Sequence, residues 1–512
     1  MFNEELDGKK GQILFYKALV IVFFIRLIIS AWLPITGDEA YFVIWGNNLD
    51  YGYYDHTPFV GWVLAALLTI SDATWWLRLP STLLPIFLSF GIYHILKPKQ
   101  PKIAVWVALT FLVAPVNIIN ILITTDTPLV YFSFISAWFF YLSINSSSDT
   151  YDDKGYKFFI LSGLFLGLAF FSKYFAVFLG FSYGLYIFLF YRNKRGFKGL
   201  GLIFLMVLPF VTINLWWNYN NCWSNILFNF YNRASGESDA FSNFTKYIGM
   251  LTFLLSPVII YYVFKNKKEY KSIEKNSCNH IYLWMTIIPL TLFLFLLIRK
   301  SVGLHWMMSF YPFAFIAFSS ILSIKQWKMS FYFMAVLSFI HLLIIVALLI
   351  LPVTTFTSNK FSIQDYEFGM HPDKFLDKLK VYEKDYEFSM ISYGMGSVAS
   401  YYSNKHFIIF SEGSVHARAD DKLTNFKELD GKNILLVKRS KENLEKHEQY
   451  FENTERKVLE VDGVRFELLL GKGFKYEPYR NEILSKVNED YYNAPDWLPI
   501  GRCHLKEKYD FN

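Results

Sequence analysis

The sequence predicts a polytopic α-helical membrane protein of about eleven spans, followed by a C-terminal α/β domain outside the membrane. Hydrophobic residues make up 54% of the 512 residues and charged residues only 18%, whereas an average soluble protein has about 25% charged residues. The charges are unevenly distributed, because residues 353–512 hold 51 of the 93 charged side chains. Long apolar runs fill residues 1–352 instead, which excludes a single soluble domain and a disordered chain.

Eleven apolar runs are long enough to cross a bilayer, which takes about 20 residues. They lie near residues 13–35, 79–97, 102–122, 126–145, 157–172, 174–191, 199–217, 246–264, 281–299, 303–323 and 329–351. The first run is not expected to be a cleaved signal peptide, because the acidic segment Gly37-Asp38-Glu39 follows it instead of a small-residue cleavage site. Gly163 and Gly167 form a GxxxG pattern that is typical of helix packing.

The lysines and arginines predict the orientation. With the N-terminus in the cytoplasm, the inner segments carry 18 Lys and Arg residues and the outer segments carry six. Cytoplasmic loops are enriched in such residues, so residues 1–352 form the membrane domain and residues 353–512 lie outside, in the periplasm of a two-membrane bacterium. Because the basic residues sit in short clusters between spans, the net charge of +7 does not indicate nucleic acid binding.

The first outer loop, residues 36–77, contains no Lys or Arg. It holds the acids Asp38, Glu39, Asp50, Asp55 and Asp72, and His56. Two stretches, 40–49 and 59–70, are predicted to be helices at the membrane interface. Long apolar loops of this kind are usually functional. The alternative for Asp38 is a helix cap in front of Ala40.

Two further outer turns place charge next to the hydrocarbon layer. Asp126 precedes a span, and an acid at this depth is usually functional, although it could instead cap the following helix. Lys173 interrupts an apolar stretch, where a snorkelling lysine is the alternative. Arg233, Arg299 and Lys300 are other outer cations that could hold a phosphate group, although each alone is also typical of an interfacial anchor.

The tail after Pro352 mixes short strands and helices. The predicted strands are 388–392, 406–410, 433–438, 457–461 and 464–470, and the predicted helices are 398–403 and 441–451. The tail is expected to support substrate binding without supplying chemistry. Cys222, Cys278 and Cys503 are far apart in the sequence and are predicted to be free structural thiols.

Several segments together resemble the family 39 glycosyltransferases of the GT-C class, which include the bacterial aminoarabinose transferase of lipid A and the protein O-mannosyltransferases. The segments are TGDEAY at 36–41, YDHTPFVGW at 54–62, TDTPL at 125–129, LAFFSKY at 168–174, LDGKN at 429–433, LGKGF at 470–474 and WLPIGRC at 497–503. The resemblance implies inverting transfer of a sugar from a polyprenyl-phosphate donor on the outer face of the membrane.

The resemblance also implies residue roles. The family's catalytic acid matches Asp38, a second acid matches Asp126, and a phosphate-binding arginine matches Arg233. A basic position of the family is His56 here, and a histidine is only partly charged near neutrality. The family's histidine just before the arginine is replaced by Phe228.

The predicted site therefore has three parts. The catalytic residues are Asp38, Glu39 and Asp126; the donor-phosphate contacts are Lys173, Arg233, His56, Arg299 and Lys300; and the substrate pocket includes Asp55, Tyr54, His305 and Trp306. No metal site has recognisable spacing, although a divalent metal cofactor stays open, since Asp38, Glu39, Asp55, His56 and His305 could meet in space. The expected acceptor is lipid A or its core.

Three alternatives to this function stay open. A protein O-glycosyltransferase would use the same donor chemistry on a secreted protein. A transporter or flippase of lipid-linked sugars would place its charges at mid-membrane in broken helices, whereas here they cluster at the outer ends. A non-enzymatic envelope scaffold would not need acids and cations in the shortest outer turns.

Overall fold

A computed structural model describes residues 9–146, 154–231, 239–298, 301–410, 418–438 and 443–511. The described residues form two compact units. The membrane unit comprises residues within 1–32, 75–213 and 234–346, and the α/β unit comprises residues within 33–74, 214–233 and 347–512. The α/β unit therefore includes two segments that the sequence separates widely from its C-terminal part.

Helices make up almost all of the described chain as far as residue 350. In chain order they are α1 (Lys9–Trp32), α2 (Gly37–Asn47), α3 (Phe59–Leu68), α4 (Thr74–Leu77), α5 (Leu79–Leu96), α6 (Pro101–Leu112), α7 (Val116–Ile119), α8 (Asp126–Asn145), α9 (Lys154–Ser172), α10 (Ala176–Phe190), α11 (Lys194–Tyr219), α12 (Ser224–Phe230), α13 (Ala240–Leu255), α14 (Pro257–Lys265), α15 (Cys278–Leu296), α16 (Leu304–Met307), α17 (Tyr311–Phe318) and α18 (Ile324–Ile350). Helices α2, α3 and α12 belong to the α/β unit, and α2 and α3 match the two predicted interfacial stretches.

Seven helices in the described ranges are long and apolar enough to cross a membrane, and they match seven of the eleven predicted spans. The predicted span 246–264 covers α13 and α14, which bend by 91° at their junction. The other three predicted spans contain shorter helices: α6, α10, and the pair α16 and α17. Pro115, Pro257 and Pro312 stand at or just after three of these interruptions. Proline alone does not explain them, because Pro85, Pro209 and Pro289 lie inside α5, α11 and α15.

Small residues allow α9 and α11 to pack closely in the membrane unit. A Cβ atom added to Gly163 would lie 2.7 Å from the backbone of Ile203, and one added to Gly167 would lie 2.2 Å from the ring of Phe210. The backbone contact makes glycine necessary at Gly163, whereas a larger residue at Gly167 would require the Phe210 ring to move. The GxxxG pattern therefore serves helix packing, as predicted.

The C-terminal part of the α/β unit is a five-stranded sheet with flanking helices. Its elements are α19 (Lys360–Met370), α20 (Pro372–Leu379), β1 (Glu387–Met390), α21 (Tyr393–Ser403), β2 (Ile408–Ile409), α22 (Asp420–Leu423), β3 (Ile434–Val437), α23 (Glu445–Glu448), β4 (Phe451–Val461), β5 (Val464–Phe474), α24 (Tyr476–Tyr479), α25 (Ser485–Tyr491) and α26 (His504–Tyr509). The strand order is β2-β1-β3-β5-β4, with β2, β1 and β3 parallel and β5 antiparallel to both neighbours. All five predicted strands are confirmed. The predicted helix 441–451 is reduced to one turn, because β4 already begins at Phe451.

A disulfide corrects the prediction of free thiols. Cys222 and Cys503 are bonded across a sequence separation of 281 residues. The prediction was wrong because sequence distance does not report the contact between the segment after α11 and the segment before α26. Among the described cysteines, only Cys278 is free, and it is buried.

Candidate active site

Helix α2 starts with a capping box. The Thr36 side chain accepts a hydrogen bond from the backbone N–H of Glu39, and the Glu39 carboxylate accepts one from the Thr36 N–H at 3.0 Å. This arrangement satisfies N–H groups that a helix start would otherwise leave unpaired. Glu39 is fully buried there, whereas Asp38 is exposed. The cap is therefore Thr36, and the alternative that Asp38 caps this helix is wrong.

Asp38 is held by a residue from the C-terminal part of the chain. The Tyr393 hydroxyl, at the start of α21, donates a hydrogen bond of 2.7 Å to Oδ1 of Asp38. The two helices approach closely, since a Cβ atom on Gly37 would lie 2.8 Å from the Cα atom of Gly394. Burial raises the pKa of Tyr393 above its ordinary value, although Arg418 opposes this shift, so the hydroxyl stays protonated and can donate.

Asp55 lies beside this contact and forms a buried ion pair. Nη1 of Arg418 donates to Oδ2 of Asp55 at 2.9 Å, and the two side chains are only 11% and 4% exposed. The Tyr41 hydroxyl donates to the other oxygen of Asp55 at 3.3 Å. Burial alone would lower the pKa of Arg418, but Asp55, with smaller contributions from Tyr41, Tyr393 and Asp38, outweighs burial and the pKa is raised. Arg418 is therefore a permanent cation in the α/β unit.

Aromatic rings enclose the Arg418 guanidinium. Its central carbon lies 3.9 Å from the ring centroid of Tyr393, 5.8 Å from that of Tyr41 and 5.7 Å from that of Phe228. Such cation–π contacts are attractive and exclude water. Arg418 and Tyr393 were not among the predicted site residues. Both belong to the tail, whose expected lack of a chemical role stays a prediction, and nothing in the local sequence around Arg418 signals the pairing with Asp55.

The neighbouring loop residues Tyr54 and His56 contact aromatic rings of the α/β unit. Tyr54 is buried with its ring 5.2 Å from Phe228 and 5.8 Å from Tyr492. His56 is half-buried, its ring lies 6.2 Å from that of Phe42, and its backbone carbonyl accepts a hydrogen bond from the N–H of Tyr53. Phe228 thus takes part in an aromatic cluster where the family resemblance has a histidine.

The membrane unit contains a second acid–cation pair. The ammonium group of Lys173 donates to both carboxylate oxygens of Asp126, at 2.9 Å and 2.7 Å. Asp126 is the first residue of α8 and Lys173 directly follows α9, and their side chains are 4% and 8% exposed. Lys173 is therefore paired inside the protein rather than snorkelling to the surface.

Two buried arginines of the membrane unit serve its structure. Arg26, in the first span, donates to the carbonyl oxygens of Thr82, Ser81 and Asn120 at 2.8–3.0 Å. Arg78 is fully buried and donates to the Ser30 carbonyl at 2.9 Å. Ser30 lies in the last turn of α1, where carbonyl oxygens lack an intrahelical partner.

The other predicted residues are placed as follows. His305 and Trp306 lie on the one-turn helix α16 of the membrane unit; His305 is exposed, and Trp306 is buried with its ring 4.6 Å from that of Phe175. Arg233, Arg299 and Lys300 lie outside the described residues. Within the described ranges, no group of three or more His, Cys, Asp or Glu side chains could hold a metal ion.

Comparison with known proteins supports the predicted resemblance. The dolichyl-phosphate-mannose-protein mannosyltransferase family matches residues 55–217. A lipid A galacturonosyltransferase, RgtD of Rhizobium johnstonii, is 27% identical over 185 residues, which cover 35% of this chain and 38% of that protein. The chain thus matches well under half the length of this curated relative.

The fold is similar to that of a protein of known structure. The crystal structure of ArnT from Cupriavidus metallidurans in the apo state superimposes with a TM-score of 0.61 at 13% identity, over 89% of this chain and 97% of that one. The structure of ArnT bound to undecaprenyl phosphate gives a TM-score of 0.63 at 14% identity, over 90% and 98%. The predicted GT-C fold, a helical membrane part followed by a sheet-containing region, is confirmed.

Proposed function

We propose that this chain is an inverting glycosyltransferase that moves a sugar from a polyprenyl-phosphate donor to a cell-envelope acceptor, most specifically lipid A or its core. The observation that carries the proposal is the exposed Asp38 carboxylate, held by Tyr393 beside the buried cation Arg418. The fold shared with a protein crystallised with undecaprenyl phosphate and the match to a lipid A galacturonosyltransferase support it.

The chemistry is a single displacement at the anomeric carbon. An acceptor oxygen forms the new bond to this carbon while the bond to the donor phosphate breaks, and the polyprenyl phosphate leaves with the electron pair. If the acceptor is a hydroxyl, its proton passes to Asp38, which acts as general base. If the acceptor is a phosphate, no proton needs to leave and Asp38 positions the oxygen.

The leaving phosphate needs positive charge as it departs. Where the family has a basic residue, this chain has His56, which is only partly charged near neutrality. We assign the missing fixed charge to Arg418, because a guanidinium is always protonated and Asp55 and Tyr41 fix its position. His56, Lys173, Arg233, Arg299 and Lys300 remain proposed contacts of the donor phosphate.

The remaining residues take supporting roles in the proposal. Tyr54 and Asp55 hold the loop and Arg418 in place, and Glu39 orients α2 through the capping box rather than acting on substrate. In the membrane unit, Asp126 orients Lys173. His305 and Trp306 are proposed to contact substrate through α16.

We further propose that residues 1–352 form the membrane domain and that residues 353–512 lie in the periplasm. The 18-to-six distribution of Lys and Arg supports this orientation. The Cys222–Cys503 disulfide supports it independently, because disulfides persist in oxidising compartments. A periplasm-specific reporter fused after Asn512 should be active, and a silent reporter beside an active cytoplasmic one would refute the orientation.

The function is tested with purified protein in nanodiscs, undecaprenyl-phosphate galacturonic acid labelled in the sugar, and lipid A. Other undecaprenyl-phosphate sugars serve as alternative donors. Label in the lipid A fraction, absent with Asp38→Asn, is the expected result. Label that enters added protein instead would indicate an O-glycosyltransferase, and donor that crosses a liposome membrane without transfer would indicate a flippase.

A further inference from the structure

A large open cleft lies in the α/β unit, apart from the Asp38 and Arg418 contacts. Its volume is about 460 Å³, within the range of about 300–1,000 Å³ that is usual for ligand sites. One wall is formed by α2 and the end of α3, and the other by the end of α21 and the residues after it. The Tyr401 hydroxyl donates to the Asp72 carbonyl at 2.6 Å and joins the two walls.

Helix α2 separates this cleft from the proposed catalytic groups. At about 100° per residue, Asp38, Tyr41 and Trp45 share one face of the helix. Ala40, Val43 and Asn47 lie on the opposite face, and all three line the cleft. The cleft is therefore a second site on the same helix, and the sugar being transferred at Asp38 does not occupy it.

The lining combines an apolar floor with unused amide groups. Val43, Leu68 and Leu423 supply apolar surface. Asn47 and Asn404 are exposed to the cleft, and their side-chain amides make no hydrogen bond to any other residue that the structure describes. A carboxamide offers two donors and an acceptor in one plane, which suits neighbouring hydroxyl groups. Apolar C–H faces with surrounding hydroxyls are the surface that a sugar ring presents.

The charges in the cleft exclude a phosphate or an acidic headgroup as the main ligand. Its two cations are already paired with acids, Lys405 with Glu383 and His406 with Asp420, the latter at 2.7 Å. A phosphate site would need a cation whose position is fixed by burial, as that of Arg418 is, whereas Lys405 and His406 are exposed. A lipid chain would need a continuous apolar lining, which the amides interrupt.

We infer that this cleft binds an uncharged oligosaccharide segment of the glycolipid acceptor. The inference rests on the proposed function, because it assigns the cleft to the acceptor of that reaction. The cleft then recognises sugars beyond the acceptor atom that reacts, and it selects acceptors that carry a sugar chain over those that lack one.

Direct binding tests the cleft without any catalytic step. The full-length protein in nanodiscs is mixed with core oligosaccharide released from rough lipopolysaccharide by mild acid, and saturation transfer to the sugar protons is measured by NMR. The wild type should show transfer that excess inorganic phosphate does not abolish. Asn47→Ala combined with Asn404→Gly should bind about tenfold more weakly.

The design separates recognition from folding. Asn404 has φ 54°, so glycine keeps the left-handed helix end while removing the amide. Asp510→Gly controls for the backbone change alone, because Asp510 also ends a helix at φ 54° and lies outside the cleft, and it additionally removes the ion pair with Lys427. Absence of saturation transfer in the wild type, or an equal signal in the double variant, would overturn the inference.

Transfer assays then distinguish the inference from the proposed function. Rough lipopolysaccharide and the lipid A prepared from it serve as two acceptors. In the double variant, KM for rough lipopolysaccharide should rise about tenfold, whereas kcat and KM for lipid A should stay unchanged. Absence of transfer to either acceptor counts against the proposed function, while the NMR result still decides whether the cleft binds sugar.

Discussion

The Asp126–Lys173 pair of the membrane unit and the Asp55–Arg418 pair of the α/β unit are both buried, but their surroundings differ. Lys173 donates to both oxygens of Asp126, so each group is the main partner of the other. Asp55 shares its oxygens between Arg418 and Tyr41, and Arg418 also stacks on Tyr393, which holds the exposed Asp38. The Asp126–Lys173 pair joins the start of α8 to the end of α9, whereas the Asp55–Arg418 pair also connects, through Tyr393, to the residue that we propose as catalytic.

The largest expected effect is that of Asp38→Asn. Loss of a general base typically costs about 10²–10⁴-fold in rate, and we expect a fall of that size in kcat. The KM for donor should stay nearly constant, since Asn still accepts a hydrogen bond from Tyr393. Initial rates at saturating concentrations of both substrates measure kcat.

A thermal unfolding control accompanies this variant. The capping box of Thr36 and Glu39 is left intact, so the unfolding temperature should match that of the wild type. Near-normal kcat in the folded variant would show that Asp38 is not catalytic. The Asp55–Arg418 pair would then have no proposed catalytic residue to position.

Breaking either ion pair tests whether its cation stabilises the fold by neutralising a buried carboxylate. Arg418→Met and Lys173→Met each leave a buried carboxylate without its cation, which typically costs about 3–5 kcal/mol of stability. Denaturant unfolding in detergent measures the loss. The double variants Asp55→Asn/Arg418→Met and Asp126→Asn/Lys173→Met should regain much of it, and failure to do so would contradict the ion-pair explanation.

A buried histidine makes the α/β unit sensitive to acid. His447 is 1% exposed, and burial, with a smaller effect of Lys446, lowers its pKa to about 4. The unfolded chain binds this proton below about pH 6.5, so folding stability falls as pH drops from there towards 4, by about 2 kcal/mol at pH 5. Hydrogen exchange of sheet peptides at pH 7 and pH 5 should show the loss, and His447→Phe should reduce it; an equal loss in that variant would contradict the assignment.

Asp126→Asn should have a smaller effect than Asp38→Asn. It removes the negative charge and leaves Lys173 one acceptor instead of two, because an amide accepts only through its oxygen. We expect about a tenfold loss of kcat, equivalent to about 1.4 kcal/mol. Single-turnover rates provide the measurement. A loss as large as that of Asp38→Asn would mean that the pair in the membrane unit takes part in chemistry directly.

Tyr393→Phe is the mildest change. It removes one hydrogen bond to Asp38, worth about 0.5–1.5 kcal/mol, while the ring under Arg418 remains. We expect a loss of about three- to tenfold in kcat with normal unfolding. Because Tyr393 stays protonated, the higher kcat of the wild type relative to Tyr393→Phe should persist at pH 8–9. Equal kcat values at that pH would indicate that the hydroxyl titrates.

Local signals predicted much of the site. The acids Asp38 and Asp126 and the cation Lys173 interrupt apolar or uncharged stretches, and such interruptions are visible in the sequence. The strands of the tail were equally visible as short β-branched runs. The partners of the acids in the first outer loop were not visible in the sequence, because Tyr393 lies 355 residues from Asp38 and Arg418 lies 363 residues from Asp55.

The misses have a common physical cause. Arg418, Tyr393 and the Cys222–Cys503 bond all depend on which distant segments fold into the α/β unit. Periodicity and charge counts report on neighbours along the chain, not on such contacts. The predicted spans at α6 and α10 were too long for a related reason, because hydropathy does not indicate where a helix ends.

The disulfide between Cys222 and Cys503 also gives the chain a covalent ring. Between these two residues the chain leaves the α/β unit, forms the last helices of the membrane unit and returns. A single proteolytic cut anywhere between residues 223 and 502 therefore opens the ring but leaves both fragments tethered. Such a nicked protein would run as one species without reductant and as two with it.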